Sequence, residues 1–373
     1  MKQCRVCATP LSQPSYAAPA PAMTSLSTLI DIPSDVFVCL QCGHIQSPNL
    51  PDVQAFYDNE YRISLQSDEH DQLYETRKGK PVFRTDHQAQ IVLELDLPQN
   101  AKILDFGAAK ATTLKKVFDQ RSDLIPYVFD VSEDYRSHWA SWVDEDNQAT
   151  YQLPHAWHGK FDVITAHFVI EHVEEPVQIL KELAQCLSPE GRLFFSVPDP
   201  LGNSGDLLVA DHLNHFTEVS LQKAIALSGL KVERINQSDF RGAHCVIATR
   251  SNGVGVEPDN LTIQKTVSEA NEKLGWWKNV LSNLKDYPNA AIYGAGFYGT
   301  LIASRLSELP ICFIDRNPHL QGKKHLNRPV IIPEDCPSNI EAIYAGLNPD
   351  HAPEILNKEQ EWVKPHTDII YLT

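Results

Sequence analysis

The chain has 373 residues, of which 42% are hydrophobic and 21% charged, and its formal net charge is −16 at pH 7. That length exceeds one ordinary core and suits two full domains plus a small one, and the composition lies outside the disordered regime. The negative charge opposes nucleic acid as a partner, and no apolar run approaches the roughly 20 residues that cross a bilayer. The start, Met1-Lys2-Gln3-Cys4, lacks the apolar core of a signal peptide, so a cytoplasmic location is expected. In that reducing setting the eight cysteines read as thiols or metal ligands.

Residues 1–50 carry Cys4-Arg-Val-Cys7 and Cys39-Leu-Gln-Cys42-Gly43-His44. Each pair chelates from one tight turn, and four thiolates in a tetrahedron suit Zn2+ in a closed, structural site. Gly43 supplies the backbone freedom the second turn needs. His44 reads as a neighbour of the site, and Pro10 to Ser27 as a stretch ordered only by a metal clasp. A linking helical segment is expected over 51–84, where Tyr57 and Tyr61 are candidates to cover a substrate-binding mouth.

Residues 85–250 alternate short apolar strands with helix-period segments, the signature of a parallel sheet wrapped by helices. The first strand, Lys102 to Asp105, runs into Asp105-Phe106-Gly107-Ala108-Ala109-Lys110-Ala111, with a helix starting near Thr112. The second ends at Asp130, placed to accept both hydroxyls of a ribose, with Val131 next to it. These features point to an adenosine-type ligand. Phe161 to Thr165 leads through Ala166, His167 and Phe168 to Glu171-His172. A helix from Pro176 follows, then Ser188-Pro189-Glu190-Gly191 as a turn and a strand over Arg192–Val197. Asp211-His212-Leu213-Asn214-His215 precedes a further helix and two strands, Lys231 to Ile235 and Ala243 to Thr249.

This block resembles class I S-adenosylmethionine-dependent methyltransferases. With the cysteine knuckle before it and a second α/β unit behind it, the chain is similar to three-domain sugar C-methyltransferases. The resemblance implies an α/β protein with three parts: a small N-terminal zinc-binding module, a central Rossmann-like methyltransferase domain and a C-terminal Rossmann-like domain. It implies S-adenosyl-L-methionine as cofactor, held by Asp105, Phe106, Gly107, Ala108, Lys110, Asp130, Val131 and His167. It also implies a small-molecule substrate, a nucleotide-linked sugar or saccharide. One departure stands out: the family's glycine loop has three alternating glycines, whereas Ala109 and Ala111 occupy two of those positions here. A loop that needs left-handed backbone there is strained by alanine.

Methyl transfer to a sugar hydroxyl or to a carbon beside a ketone needs a general base, and histidine suits neutral pH. His212 and His172 align with the family's active-site histidines. Asp211 either orients His212 or bonds the backbone, and His215 and Tyr61 are substrate candidates. Trp139 and Trp142 read as packing residues.

A helix is expected from Leu261 to Tyr287, within a linker over 251–288, stopped by Pro288. In 289–373, Gly294-Ala-Gly296-Phe-Tyr-Gly299 follows a strand, and Ile311 to Asp315 supplies a second strand ending in an acid. This is the dinucleotide fingerprint. Two further readings follow from it: an NAD-dependent oxidoreductase or epimerase working at these glycines, and a methyltransferase-like binding protein without turnover.

Overall fold

The computed structural model describes residues 2–51, 71–251, 253, 258–357 and 360–373; Tyr57 and Tyr61 lie outside them. Two compact units emerge. The first comprises Met1–Leu11, Cys39–Asn203 and Leu213–Val267, the second Ser12–Val38, Ser204–His212 and Ser268–Thr373.

The first unit is built on a seven-stranded sheet. Its strands are β1 (Lys102–Phe106), β2 (Ile125–Asp130), β3 (Gln148–Thr150), β4 (Phe161–His167), β5 (Leu187–Pro198), β6 (Leu230–Asn236) and β7 (Ala243–Arg250). The spatial order is β3-β2-β1-β4-β5-β7-β6. β1 to β5 are parallel, while β7 runs antiparallel to both β5 and β6. The reversed β7 closes the sheet beside β5, because β6 and β7 are joined as a hairpin and only one of them can lie next to the parallel set.

Near-continuous burial along β1 and β4 shows that both faces of the sheet are covered, as parallel sheets require. Helices α1 (Arg84–Leu93) and α2 (Thr112–Gln120) pack Ile91, Val92, Leu114 and Val117 against Ile103, Val128 and Val163. Helices α3 (Pro176–Cys186) and α4 (Glu218–Leu227) meet each other and rest on β5 and β6 respectively. Pro176 opens α3 at a position where no intrahelical donor is needed. Thr217 caps α4, its hydroxyl accepting from the Ser220 amide.

Two sequence expectations change here. Ser188–Gly191 is not a turn between helix and strand. The ladder passes from Phe161↔Leu187 to Val163↔Arg192, so these residues form an irregular excursion inside one long strand. Gly191 permits it, since a Cβ there would meet the Phe161 carbonyl at 2.5 Å. Nor are the described residues of 51–84 before α1 helical. Leu73–Arg77 and Lys80–Phe83 pair as an antiparallel hairpin. Lys78 and Gly79 both have positive φ (50° and 77°), the conformation that joins two strands through a two-residue turn.

The second unit carries a six-stranded sheet of β8 (Ala290–Tyr293), β9 (Cys312–Ile314), β10 (Lys324–His325), β11 (Arg328–Ile331), β12 (Ala342–Ala345) and β13 (Asp368–Ile370). The order is β10-β11-β9-β8-β12-β13, parallel except for the β10–β11 hairpin. Tyr16–Ala18 pairs with Ser34–Val38 and Ala22–Met23 with Leu29–Ile30. Tyr16, Ala22, Met23 and Thr24 are almost wholly buried, and the Ala210 amide donates to the Met23 carbonyl at 2.8 Å. Packing therefore contributes to the order of the stretch from Pro10 to Ser27.

Helix α5 (Asn260–Ser282) precedes β8 and stops before Tyr287. Its end is set by side chains: Ser282 Oγ donates to the Lys278 carbonyl at 2.6 Å and Asn283 Nδ2 to the Asn279 carbonyl at 2.8 Å. Those bonds satisfy the last carbonyls and replace the next helical turn. Among the described residues no helix is long and apolar enough to cross a membrane.

Candidate active site and thiol cluster

In the first unit a cavity of about 1010 Å³ opens at the carboxyl ends of β1, β2 and β4, where ligands of doubly wound sheets sit. Asp105, Phe106, Gly107, Ala108, Lys110, Asp130, Val131 and His167 all line it, as does His172. Sequence reasoning missed Arg84, Thr85 and Gln88 from the start of α1, and Tyr151 to Leu153 after β3. The wall from α1 precedes the first strand of the sheet, and no local motif marks it.

The loop after β1 is held from both sides. The amides of Gly107 and Ala108 donate to the Phe129 carbonyl, both at 2.9 Å. The Ala109 amide donates to Asp130 Oδ2 at 2.8 Å, and Trp139 Nε1 donates to the Ala109 carbonyl at 2.7 Å. Trp139 is thus a prop for the loop as well as a core residue. Gly107 has φ +73°, and a Cβ there would lie 2.5 Å from Val169 Cγ2. Ala109 and Ala111 are also left-handed, at φ 47° and 54°. The strain foreseen from their sequence is present, roughly 1 kcal/mol or more at each.

Asp130 accepts from the Ser132 amide at 3.1 Å through its other oxygen. Burial raises its pKa against these backbone bonds. Asp105, one strand across, is pushed up to about 7 by burial, partly offset by the Thr165 hydroxyl, which donates to it at 2.9 Å. A carboxyl that remains partly protonated near neutrality reports a dry, weakly solvated floor.

The other described candidates are not among the residues that line this cavity. In the first unit His215 is buried, its Nε2 at 2.9 Å from Ser47 Oγ. In the second unit His212 Nδ1 lies 2.6 Å from Asp206 Oδ1, and both side chains are buried. Asp211 is not the partner of His212. Its oxygens accept from the backbone N–H and the hydroxyl of Ser25, both at 2.6 Å. Neighbouring side chains face opposite ways, and the partner comes from the 3₁₀ turn Ser204–Leu208.

The four N-terminal cysteines converge. Their sulfurs all lie within 4.8 Å of one another, with Cys4 to Cys42 at 3.6 Å and Cys7 to Cys39 at 3.5 Å. Tetrahedral Zn–S bonds of 2.3 Å would set sulfurs about 3.8 Å apart, so the donor set fits such an ion. Both knuckles turn the same way: Ala8 follows the first at φ 59° and Gly43 the second at φ 68°. Hydrogen bonding within the thiol cluster, from Cys4 first, lowers the Cys39 pKa. His44 stands aside, its Nε2 3.2 Å from Asn214 Oδ1.

Residues 83–235 match a family model described as a methyltransferase domain. The cavity and the parallel strands β1 to β5 fall within this match: the chain carries a methyltransferase domain. A comparison with curated proteins finds no match.

Similar solved structures include three methyltransferases. One is the putative methyltransferase in complex with the Trm112 activator of Haloferax volcanii, at 14% identity, TM-score 0.39, 45% of this chain and 91% of that one. Another is mitomycin 7-O-methyltransferase, at 20% identity, TM-score 0.37, 45% of this chain and 54% of that one. The third is an S-adenosylmethionine-dependent methyltransferase of Mesorhizobium loti, at 18% identity, TM-score 0.35, 44% of this chain and 98% of that one. At these scores nothing about substrate follows from them.

Proposed function

We propose that this enzyme methylates a sugar, nucleotide-linked, at carbon or oxygen, with His212 as general base and Zn2+ held by Cys4, Cys7, Cys39 and Cys42. The observation that carries the cofactor part is the cavity at the ends of β1, β2 and β4, with Asp130 at the ribose position and Gly107 leaving room for a close backbone approach. S-adenosylmethionine supplies an electrophilic methyl carbon on a sulfonium. The chain's own residues have three tasks: to orient the cofactor, to exclude water and to take a proton from the acceptor. Asp206 fixes the His212 ring through Nδ1, which holds its tautomer and supports an imidazole that gains a proton. The sugar substrate rests on the resemblance of the three-part layout.

Calorimetric titration with S-adenosylmethionine, S-adenosylhomocysteine and NAD tests the cofactor part, and micromolar binding of the sulfur ligands is expected. A panel of nucleotide-linked keto- and hydroxy-sugars then tests the acceptor. A His212→Gln variant that folds, binds cofactor and keeps most of its rate would sink the assignment of the base. Metal analysis of the purified protein is expected to return one zinc per chain.

One observation favours the NAD reading of the second unit: a Cβ at Gly296 would meet nothing within 4 Å, so the middle glycine of that loop faces open space. Clear NAD binding with no sulfur-ligand binding would move the working site there.

A further inference from the structure

The four-thiol cluster and the cavity belong to the same unit, and one buried amide joins them. Asn214 is 1% exposed. Its Nδ2 lies 2.7 Å from the Val173 carbonyl, 3.3 Å from that of Glu171 and 3.4 Å from that of Ile170. Carbonyls only accept, so the nitrogen of the amide faces them, and Oδ1 faces Nε2 of His44 at 3.2 Å. That makes His44 the donor of this bond. Ile170–His172 is a single 3₁₀ turn, too short to pair its last carbonyls within itself, so its ending depends on the Asn214 side chain.

Both cysteine pairs grip Asn214. His44 follows Cys42 and Gly43 directly, and Thr217 Oγ1 donates to the Gly43 carbonyl at 3.1 Å. Arg5, inside the first pair, donates through Nη1 to the carbonyls of Ser47 at 2.8 Å and Leu213 at 2.6 Å, and its amide donates to Gln46 Oε1 at 2.9 Å. Leu213 leads into Asn214, and Asn214 pairs with Gln46 across an antiparallel ladder. The far end of this chain of bonds is the cavity wall. Val169, His172, Val173 and Glu174 line the cavity, and Val169 is the side chain that a Cβ at Gly107 would strike.

Metal binding at four thiolates also orders the residues that carry them, and Arg5 and His44 are among those residues. A ligand that fills the cavity must order the wall, and it loses less entropy where the wall is already held. We propose that Asn214 is a positioning residue that passes the order of the metal-bound cysteine module to the His172 wall, so that Zn2+ at the thiols and a ligand in the cavity bind with positive coupling; this rests on the zinc and cofactor readings above. Such coupling is reciprocal, each ligand tightening the other by the same factor. The module then tunes the cavity although none of its four thiols lines it.

The test is the zinc affinity of the full chain, read by competition with a chromophoric chelator, without and with saturating S-adenosylhomocysteine. In the wild type the sulfur ligand is expected to tighten zinc by about 5- to 150-fold, and zinc to tighten S-adenosylhomocysteine by the same factor in calorimetry. Asn214→Leu removes the donors and the acceptor at similar volume, and is expected to bring that factor to within about 2-fold of unity. His44→Gln, which keeps a side-chain N–H, is expected to retain most of the coupling and His44→Phe to lose it; this pair decides the matter alone if Asn214→Leu does not fold. A merely structural Asn214 would weaken each ligand separately and leave the factor unchanged. That result, or a wild-type chain that binds both ligands independently, would overturn the proposal and leave the zinc and cofactor readings intact. A zinc-loaded wild-type chain that binds no sulfur ligand would remove the cofactor reading, and the coupling with it.

Discussion

The loop that follows β1 and the loop that follows β8 are built alike. In each, the first glycine donates its amide to the carbonyl just before the acid of the next strand: Gly107 to Phe129 at 2.9 Å and Gly294 to Ile314 at 2.7 Å. In each, a loop alanine donates to that acid, Ala109 to Asp130 and Ala295 to Asp315, both at 2.8 Å. The second carboxylate oxygen accepts from the amide two residues on, that of Ser132 or Asn317. Yet only the glycine-rich loop of the second unit matches the fingerprint in sequence, while the loop that lines the large cavity keeps one glycine and two strained alanines. Two of the fingerprint glycines have a packing reason. A Cβ at Gly294 would fall on the Gly346 carbonyl, and one at Gly299 on the Gly294 carbonyl. Those glycines report close backbone approach, and hence fold. The ligand depends on what lies beyond the loop.

If that contrast is right, the largest effect belongs to the packing glycines. Gly299→Ala drives a methyl into backbone that cannot yield and is expected to cost about 3 kcal/mol or more, or to prevent folding of the second unit. Gly107→Ala meets a valine side chain and a left-handed φ, for about 2 kcal/mol, and is expected to lose sulfur-ligand binding as well. Thermal unfolding of the two variants measures the difference. A Gly299→Ala protein that melts like wild type would remove the packing account.

Legibility from sequence follows the same division. Most strands of the first unit, the Gly107 loop and the four-cysteine convergence were readable because each is carried by a local period or spacing; the three-residue β3 was not. Asp206 was not, since its bond to His212 spans six residues across a 3₁₀ turn that has no sequence period. Arg84 and Gln88 escaped because a cavity wall contributed by a preceding helix is a tertiary fact. The Ser188–Gly191 excursion was misread as a turn because Ser-Pro-Glu-Gly chemistry serves a bulge as well as it serves a turn.

Asp105 offers a second contrast, because the equivalent place in the other loop is the fully buried Ile292. Its folded carboxyl titrates at about 7 against 3.8 for the ordinary group. Between those values the folded protein holds a proton the unfolded chain has released. Stability is therefore fully favoured below the lower value, falls as pH rises through the window, and levels off above about 7. The slope is at most about 1.4 kcal/mol per pH unit. Comparing melting temperatures from pH 5 to pH 8 in wild type and Asp105→Asn isolates it: the variant should flatten this component. Parallel pH profiles would place the titration elsewhere.

The two acids that close the loops should differ in ligand binding by somewhat less. Asp130→Asn removes a charged acceptor at the ribose position and is expected to weaken S-adenosylhomocysteine by about 1.5–3 kcal/mol, roughly 10- to 100-fold. Asp315→Asn, with the same local bonds, is expected to leave that affinity unchanged. Calorimetry on both variants decides it, and an equal loss at Asp315 would break the contrast between the loops.

The smallest effect concerns the alanines. Ala109 sits at φ 47°, where glycine is relaxed by about 1 kcal/mol or more, and the entropy of an added glycine takes back about 0.5–1 kcal/mol. Ala109→Gly is therefore expected to be neutral or to stabilise by up to about 1 kcal/mol. Ala295 is buried and is not among the positive-φ residues, so Ala295→Gly gains no relief. It loses a buried methyl and adds chain entropy, a cost of about 1–2 kcal/mol. Opposite signs in paired denaturant titrations would show that alanine in the first loop is a tolerated strain and in the second a fitted side chain. A destabilised Ala109→Gly would mean instead that the Ala109 methyl helps to shape the cavity, and that the departure from glycine serves the ligand.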